Sequence, residues 1–410
     1  MVTQNDNEPI SSNVDLKKKL KEPSFMEVVI LFGLISMFGD ILYEGARGIL
    51  SPFLDTLNVS AVLVGGLLGL AEFIGFITRV ISGSLTDRWR RYWTFIFIGY
   101  ALLISLPLMA LTRQWYFIII LYAMERIGKA IYAPAEDAVF SSIAKGTLGK
   151  AFGYRELLDQ TGALIGPLVI AIILFFYPND FTLAFGYLII PFIIIFIIVY
   201  LVFRRLGEYS QYKIQEDIKQ HLENNSETTT NLPSKFFIYG ISVFFNALGL
   251  IYIFIFLLVA THVVGTDNIW MVGLFYAIIM VVQALSSPIL GSLYDRYGTA
   301  IAFIPLVVAV IPAIFVVNAS ILSITIGCLF FGIVLSGQDS IFKAIIGDMV
   351  PYKRGTAFGY FYFFLSIGLL FSGVIFGIFV ENNLNIWAPV FSIICEGLAL
   401  IFLLISLRAK

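Results

Sequence analysis

Apolar residues in this chain run in long blocks, broken at intervals by short polar clusters. A helix that crosses a bilayer needs about 20 mainly apolar residues. Twelve stretches meet that length: 26–50, 60–85, 93–112, 115–140, 152–177, 182–203, 236–261, 269–292, 299–318, 321–344, 357–380 and 386–407. Six lie on each side of a long polar segment, Arg204 to Lys235. Within that segment, Glu208 to Glu223 reads as a short surface helix, and Asn224-Asn225-Ser226-Glu227-Thr228-Thr229-Thr230-Asn231 reads as a tether. The pattern predicts an all-α membrane protein of twelve transmembrane helices in two six-helix halves. Its parts are a tail over 1–25, a first bundle over 26–203, a linker over 204–235 and a second bundle over 236–407.

Basic residues orient the pattern, because cytoplasmic loops collect Lys and Arg. One group is Lys17, Lys18, Lys19 and Lys21 ahead of the first stretch. Others follow at Arg88, Arg90 and Arg91, at Lys145 and Lys150, at Arg204, Arg205, Lys213 and Lys219, at Arg296, at Lys353 and Arg354, and at Arg408 and Lys410. The opposite connections carry only Arg113 as a basic Lys or Arg. An even number of crossings puts both termini on one side, and the charges make that side cytoplasmic. The expected location is the cytoplasmic membrane, multi-pass. The first apolar run is too long for a cleaved signal-peptide core and is expected to stay as the first crossing.

Composition agrees. The chain is 59% hydrophobic and 13% charged, against about 25% charged in soluble domains. A net charge of −1 argues against a nucleic-acid partner. Cys328 and Cys395 lie inside apolar runs, and His221 and His262 lie in or beside loops, so neither a disulfide framework nor a metal set is implied. No nucleotide-binding glycine-lysine motif and no nucleophile–base pair appears, so neither an enzyme nor a directly ATP-driven pump is expected, and no cofactor.

The halves echo one another. Gly83-Ser84-Leu85-Thr86-Asp87-Arg88 recurs as Gly291-Ser292-Leu293-Tyr294-Asp295-Arg296, and Ala151-Phe152-Gly153-Tyr154 recurs at nearly the same offset as Ala357-Phe358-Gly359-Tyr360. Internal repeats of membrane-crossing segments are the usual mark of a transporter. The Gly83-x-Leu85-x-Asp87-Arg88 loop and its second copy resemble the loop signature of the major facilitator superfamily. In the first copy Arg90 stands where a glycine is common, while the second copy keeps Gly298. Arg126-Ile127-Gly128-Lys129-Ala130 resembles that family's arginine motif in the fourth crossing. Gly162-Ala163-Leu164-Ile165-Gly166-Pro167 resembles the fifth-crossing signature of proton-antiporter exporters, although Ile170 and Ala171 replace its last two glycines.

The resemblance implies a cavity lined by crossings 1, 4, 7 and 10, and a gating scaffold of Gly83, Asp87, Arg88, Arg91, Asp137, Gly291, Asp295, Arg296 and Asp339. Asp87 and Asp295 would hold cytoplasmic helix ends. Asp137 and Asp339, which occupy equivalent places in the two halves, would pair with the loop arginines Arg88 or Arg91 and Arg296. Gly162, Gly166 and Pro167 would set helix packing and a kink.

Ionisable residues inside a crossing are costly and mark function. Those found in one half alone are the candidates for substrate or proton work: Asp40, Glu44, Arg47, Glu72, Glu125, Arg126 and Lys129. Asp40, Glu44 and Arg47 share one helix face at i, i+4, i+7. Asp40 is the first candidate proton carrier and Glu125 the second. The competing reading is a set of fixed ion pairs: Glu44 with Arg47, Asp159 with Lys129, Arg79 with Glu72. In the second half, Phe244, Phe245, Tyr252, Phe254 and Phe256 suggest an apolar cavity wall, and Glu396 has no evident role. The expected function is proton-coupled export of a small organic solute by a monomer. The alternatives are proton-coupled uptake of an organic anion or sugar, and a lipid-moving or sensor protein on the same fold.

Overall fold

A computed structural model describes residues 22–144, 148–224, 232–349 and 354–408. The described residues form helices α1 (Phe25–Thr56), α2 (Ala61–Trp89), α3 (Tyr92–Leu102), α4 (Ser105–Leu108), α5 (Trp115–Ile143), α6 (Leu148–Phe176), α7 (Phe181–Tyr187), α8 (Ile189–Asn224), α9 (Ser234–Gly249), α10 (Ile253–Val264), α11 (Trp270–Tyr297), α12 (Phe303–Val308), α13 (Val310–Val317), α14 (Ile321–Gly337), α15 (Lys343–Met349), α16 (Arg354–Glu381) and α17 (Trp387–Arg408). A π-helical turn, Gln338–Phe342, joins α14 to α15. Helices are the expected solution, since a bilayer offers no water to satisfy backbone N–H and C=O groups. Among the described residues, ten helical stretches are long and apolar enough to cross a membrane. One of them, Trp270–Val317, runs for 48 residues through α11 to α13. Trp115–Ile143 is of crossing length too, but it carries the charges Glu125, Arg126, Lys129, Glu136 and Asp137.

Local chemistry sets the ends. Ser24 caps α1 in a reciprocal box: the Glu27 N–H donates to Ser24 Oγ at 3.1 Å, and the Ser24 N–H donates to Glu27 Oε2 at 3.3 Å. α2 stops at Arg90, whose φ of 54° is left-handed and whose N–H meets Thr86 O. The equivalent residue after α11 is Gly298, with φ 65°. Both loop copies therefore end their helix in the region that favours glycine, and Arg90 holds that conformation without glycine's freedom.

The polar segment after residue 203 differs from the expected tether. α8 runs unbroken to Asn224, so the separate surface helix is its continuation. Arg205 Nε donates to Glu27 Oε1 at 2.8 Å, and Trp93 Nε1 donates to Ser210 Oγ at 3.0 Å. These contacts fasten the continuation to α1 and α3. Residues 225–231 of the expected linker, and most of the expected tail, lie outside the described residues.

The end of the bundle where α1 begins and α17 finishes is here called proximal, the other distal. The larger apolar core, with Phe32, Phe140, Phe185, Phe254 and Phe256 fully buried, runs from α1–α8 into α10, α11 and α14. A smaller core joins only residues from Phe236 onward and includes Tyr239, Ile345 and Phe361. Amino- and carboxy-terminal helices are fused at the distal end. A Cβ on Gly65 of α2 would lie 2.0 Å from Gly373 O of α16, and one on Gly377 would lie 2.7 Å from Ala61 O. Ser51 Oγ of α1 donates to Phe254 O of α10 at 2.7 Å.

Candidate functional site

Between the helix sets lies a cavity of ≈ 770 Å³. α1, α2, α5 and α6 supply its charged wall, including Asp40, Glu44, Arg47, Glu72, Arg126 and Lys129. The α9–α10 break and α11, α14 and α16 supply the other wall, including Tyr252, Tyr276, Gln283, Phe331, Gln338 and Tyr362. Exposure rises toward the proximal end. The Glu125 and Glu72 side chains are 0% and 8% exposed, whereas Asp137 and Asp339 nearer that end are 45% and 50% exposed.

Five of the seven candidates, Glu44, Arg47, Glu72, Glu125 and Arg126, form one bonded network, and Asp40 and Lys129 line the same cavity beside it. On α1, Arg47 Nη1 donates to Glu44 Oε1 at 3.2 Å and Arg47 Nη2 reaches Glu72 Oε1 of α2 at 2.8 Å. On α5, Arg126 grips Glu125 with Nε and Nη2 at 2.5 and 2.6 Å, and Arg126 Nη1 meets Glu72 Oε1 at 3.2 Å. Tyr122 OH also donates to Glu72, at 2.7 Å. Glu72 is thus the bridge between two arginines on different helices. Arg47, Arg126 and Lys129 balance Glu44, Glu72 and Glu125 in number.

Lys129 holds its Nζ 3.5 Å from the centre of the Tyr43 ring and makes no ion pair among the described residues. The expected Asp159–Lys129 pair is therefore replaced by a cation–π contact. Asp40 of α1 and Asp159 of α6 line the same cavity. Asp40 is 3% exposed, and its Oδ1 has no hydrogen-bond partner. The distance between α1 and α6 is set by glycine: a Cβ on Gly162 would lie 2.1 Å from Met37 O, and one on Gly166 would lie 2.6 Å from Ile41 O. Pro167 follows at the same crossing, and a Cβ on Gly273 of α11 would meet its carbonyl at 3.3 Å.

One bond joins the charged wall to α11. Tyr276 OH donates to Glu44 Oε2. Tyr276 and Tyr122 carry no charge and so gave no signal as isolated intramembrane tyrosines. Arg155 was also missed, although it follows the repeated Ala-Phe-Gly-Tyr and its counterpart is Phe361. Its Nη1 meets Asp137 Oδ1 at 2.9 Å, its Nη2 meets Glu136 Oε1 at 2.7 Å, and its Nε donates to Ser36 Oγ at 2.8 Å. The presence of this charge in one repeat alone was the available signal.

Several expected pairings are corrected. Asp137 pairs with Arg155 and, at 3.8 Å, with Arg79. Asp339 pairs with Lys343 at 2.7 Å and accepts from Gln283 at 2.8 Å. The loop arginines Arg88, Arg91 and Arg296 are exposed instead, as is Asp295. Arg88 and Arg296 lie in the last turns of α2 and α11, Arg91 follows α2, and none of the three pairs with Asp137 or Asp339 among the described residues. Arg79 goes to Asp137 rather than Glu72, because both arginines of the central cluster already occupy Glu72. Gly83 packs on Pro134 at 3.6 Å from its would-be Cβ, whereas Gly291 has open space around it. The side chain of Asp87 lies outside the described residues. Of the five aromatics expected to form an apolar wall, Tyr252 lines the cavity, and Phe254 and Phe256 are sealed in the core behind it.

A bundle of long apolar helices around a buried, charged cavity defines a multi-pass membrane protein with a solute-sized chamber. The chain belongs to the Major Facilitator Superfamily, whose family model matches residues 29–373. It is 32% identical over 339 residues to an uncharacterised protein of Mycobacterium tuberculosis, covering 81% of each chain. It is 29% identical over 155 residues to an uncharacterised MFS-type transporter of Methanocaldococcus jannaschii, 38% of this chain and 39% of that protein. Its fold is similar to that of the nucleoside transporter NupG, with a TM-score of 0.72 at 12% identity over 93% of this chain and 100% of that one. It is also similar to a peptide transporter POT in complex with alafosfalin, with a TM-score of 0.73 at 12% identity over 97% and 98%. The family and these neighbours are transporters, not enzymes.

Proposed function

We propose that this protein is a secondary active transporter that moves a small organic solute across the cytoplasmic membrane by alternating access, with proton-coupled export as the direction. In this reading Trp270–Val317 crosses twice and Trp115–Ile143 crosses once, which gives twelve crossings in two halves. The Lys/Arg distribution makes the proximal end cytoplasmic. The cavity then faces inward and the Gly65–Gly373 seam closes it from outside.

The observation that carries the reading is that Asp40 and Asp159 line one cavity on two closely packed helices, beside the arginine–glutamate network. Arg47 and Arg126 already answer Glu44, Glu72 and Glu125. Two further carboxyls sharing one site favour a single proton between them. α1 and α6 are locked by Gly162 and Gly166, so this pair moves as a unit. What rocking changes is the neighbour across the cavity: Tyr276 leaves Glu44, and the field at Asp40 alters with it. A solute that favours one arrangement thereby shifts the proton's affinity, and the coupling is reciprocal. The Gly162-x-x-x-Gly166-Pro167 element supports export. Uptake of an organic anion keeps one supporting observation, the ammonium of Lys129 beside the cavity, which makes no ion pair among the described residues.

The test begins with a thermal-shift panel of organic acids, sugars and lipophilic cations on purified protein. The compound found is then followed in vesicles under an imposed proton gradient. Asp40→Asn is expected to lose gradient-driven accumulation and to keep downhill exchange. Wild-type accumulation by that variant would eliminate Asp40 as the carrier.

A further inference from the structure

Among the described residues, the carboxy-terminal helices bury one carboxylate, Glu396 on α17, at 2% exposure. The buried glutamates of the other wall all hold arginine: Glu44, Glu72, Glu125 and Glu136. Glu396 makes no ion pair among the described residues. Its partner is an amide: Asn246 Nδ2 of α9 lies 3.2 Å from Oε1 and 3.0 Å from Oε2. The elements packed around it offer no nearby charge. α12 and α13 contain no ionisable residue, α16 carries acidic and basic residues only at Arg354 and Glu381, and on α9 Lys235 lies three turns below Asn246. The adjacent titratable side chain is Cys395. An isolated ionised carboxylate in such surroundings costs far more than a neutral one.

Glu396 is nevertheless connected to the cavity. Asn246 Oδ1 accepts from Gln338 Nε2 at 2.8 Å, and Gln338 lines the cavity at the first position of the π-helical turn. Asn246 lies just before the break between α9 and α10, whose carbonyls are held by neighbours. Ser392 donates to Gly249 O, and Ser372 donates to Leu250 O at 2.6 Å. The amide chain thus ends on two irregular segments, which have less backbone bonding to resist movement than a continuous helix.

We propose that Glu396 is a second proton-binding site, gated by Gln338 and Asn246. With the three side chains in line, the carboxyl keeps its proton. When the π-helical turn draws Gln338 off Asn246, cavity water reaches the carboxyl. The O–H bond breaks, the proton passes to water, and the carboxylate left behind is held by the Asn246 NH₂. Return of Gln338 follows uptake of a proton from water. The use of this site in transport rests on the proton-coupled reading above. The protonation itself does not, and it is tested without transport.

The experiment is infrared spectroscopy of the full chain in lipid nanodiscs, titrated from mildly acidic to mildly basic pH. The wild type is expected to show a neutral-carboxyl C=O band at neutral pH that Glu396→Gln loses. Gln still presents an oxygen to Asn246, and a thermal melt checks that variant's fold. Asn246→Ala keeps Glu396 and is expected to shift the band, because its hydrogen-bond donor is gone. Gln338→Ala is expected to lower the pH at which the band disappears by about one unit, as water gains access. Asp40→Asn should leave the band intact, so failure of the Asp40 assignment is read separately. Spectra of wild type and Glu396→Gln that coincide across the titration would overturn the site. A band indifferent to Gln338→Ala would overturn the gate.

Discussion

The two walls of the cavity belong to stretches of chain that echo one another's motifs, and they differ in kind. The amino-terminal wall is a network of arginine–glutamate bonds on helices that run unbroken through the cavity level. Pro52, Pro134 and Pro167 lie within those helices without interrupting them. The opposite wall presents amides, aromatics and the Asp339–Lys343 pair, and two of its segments are interrupted at that same level, by the α9–α10 break and by the π-helical turn, while α11 and α16 run through. Where Arg126 and Lys129 stand in one repeat, Cys328 and Phe331 stand in the other, the first in the core and the second on the cavity. Buried ionic groups fix geometry, because every member depends on its partner. Interrupted helices with neutral partners change shape at lower cost. The difference suggests a division of labour, with one wall holding the chemistry in place while the other moves across it.

The largest effect should come from the centre of the charged wall. Arg126→Ala strands Glu125 at 0% exposure and removes one of the two guanidinium contacts on Glu72. Loss of one partner of a buried pair costs about 3–5 kcal/mol. Replacing both members, as Glu125→Leu with Arg126→Met, should cost much less, since no charge is left unpaired. Unfolding of the detergent-solubilised protein measures both. Equal losses in the single and double variants would mean that the pair is not buried as described.

The amide wall should respond more mildly. Asn246→Ala removes both Nδ2 contacts to the Glu396 carboxyl and the hydrogen bond from Gln338, without stranding a cation. The expected loss is about 1–3 kcal/mol, the cost of leaving a buried polar group unmet. A loss as large as that of Arg126→Ala would show that the second wall is as rigidly specified as the first.

The contrast was partly visible in the chain. Alternating apolar blocks, the Lys/Arg pattern and the doubled Gly-Ser-Leu-x-Asp-Arg gave the helices and the family. Asp40 to Lys129 emerged because intramembrane charges are rare and these occur in one repeat. Partner choice did not emerge. Spacing along a helix pairs Glu44 with Arg47, but it cannot show that Glu72 sits between two arginines of other helices, or that Arg155 reaches Glu136 and Asp137. Those are distances across helix packing, set at α1–α6 by glycines whose closeness appears only in three dimensions. Glu396 was noticed and left without a role for the same reason, since its partner lies on a distant part of the chain.

The smallest effect concerns the seam that joins the walls at the distal end. His262 Nε2 of α10 lies 3.0 Å from Asp55 Oδ1 of α1, with 52% of the histidine side chain exposed. Glu381 Oε2 of α16 accepts the Val62 N–H of α2 at 3.1 Å nearby. An exposed ion pair is worth about 0.2–1 kcal/mol and weakens in salt. The glycine contacts and the buried Ser51–Phe254 bond should therefore keep the seam closed when this pair is lost. His262→Ala is expected to raise thiol labelling of a Val59→Cys reporter, buried at the distal end, up to about five-fold, corresponding to ~1 kcal/mol. Asp55→Asn should do the same, and the double variant should add nothing further, since the two residues act through one contact. High salt should abolish the difference between wild type and variants. Additive effects of the two substitutions would show that the residues act through separate contacts, and labelling that ignores both would show that closure of the walls does not depend on this pair.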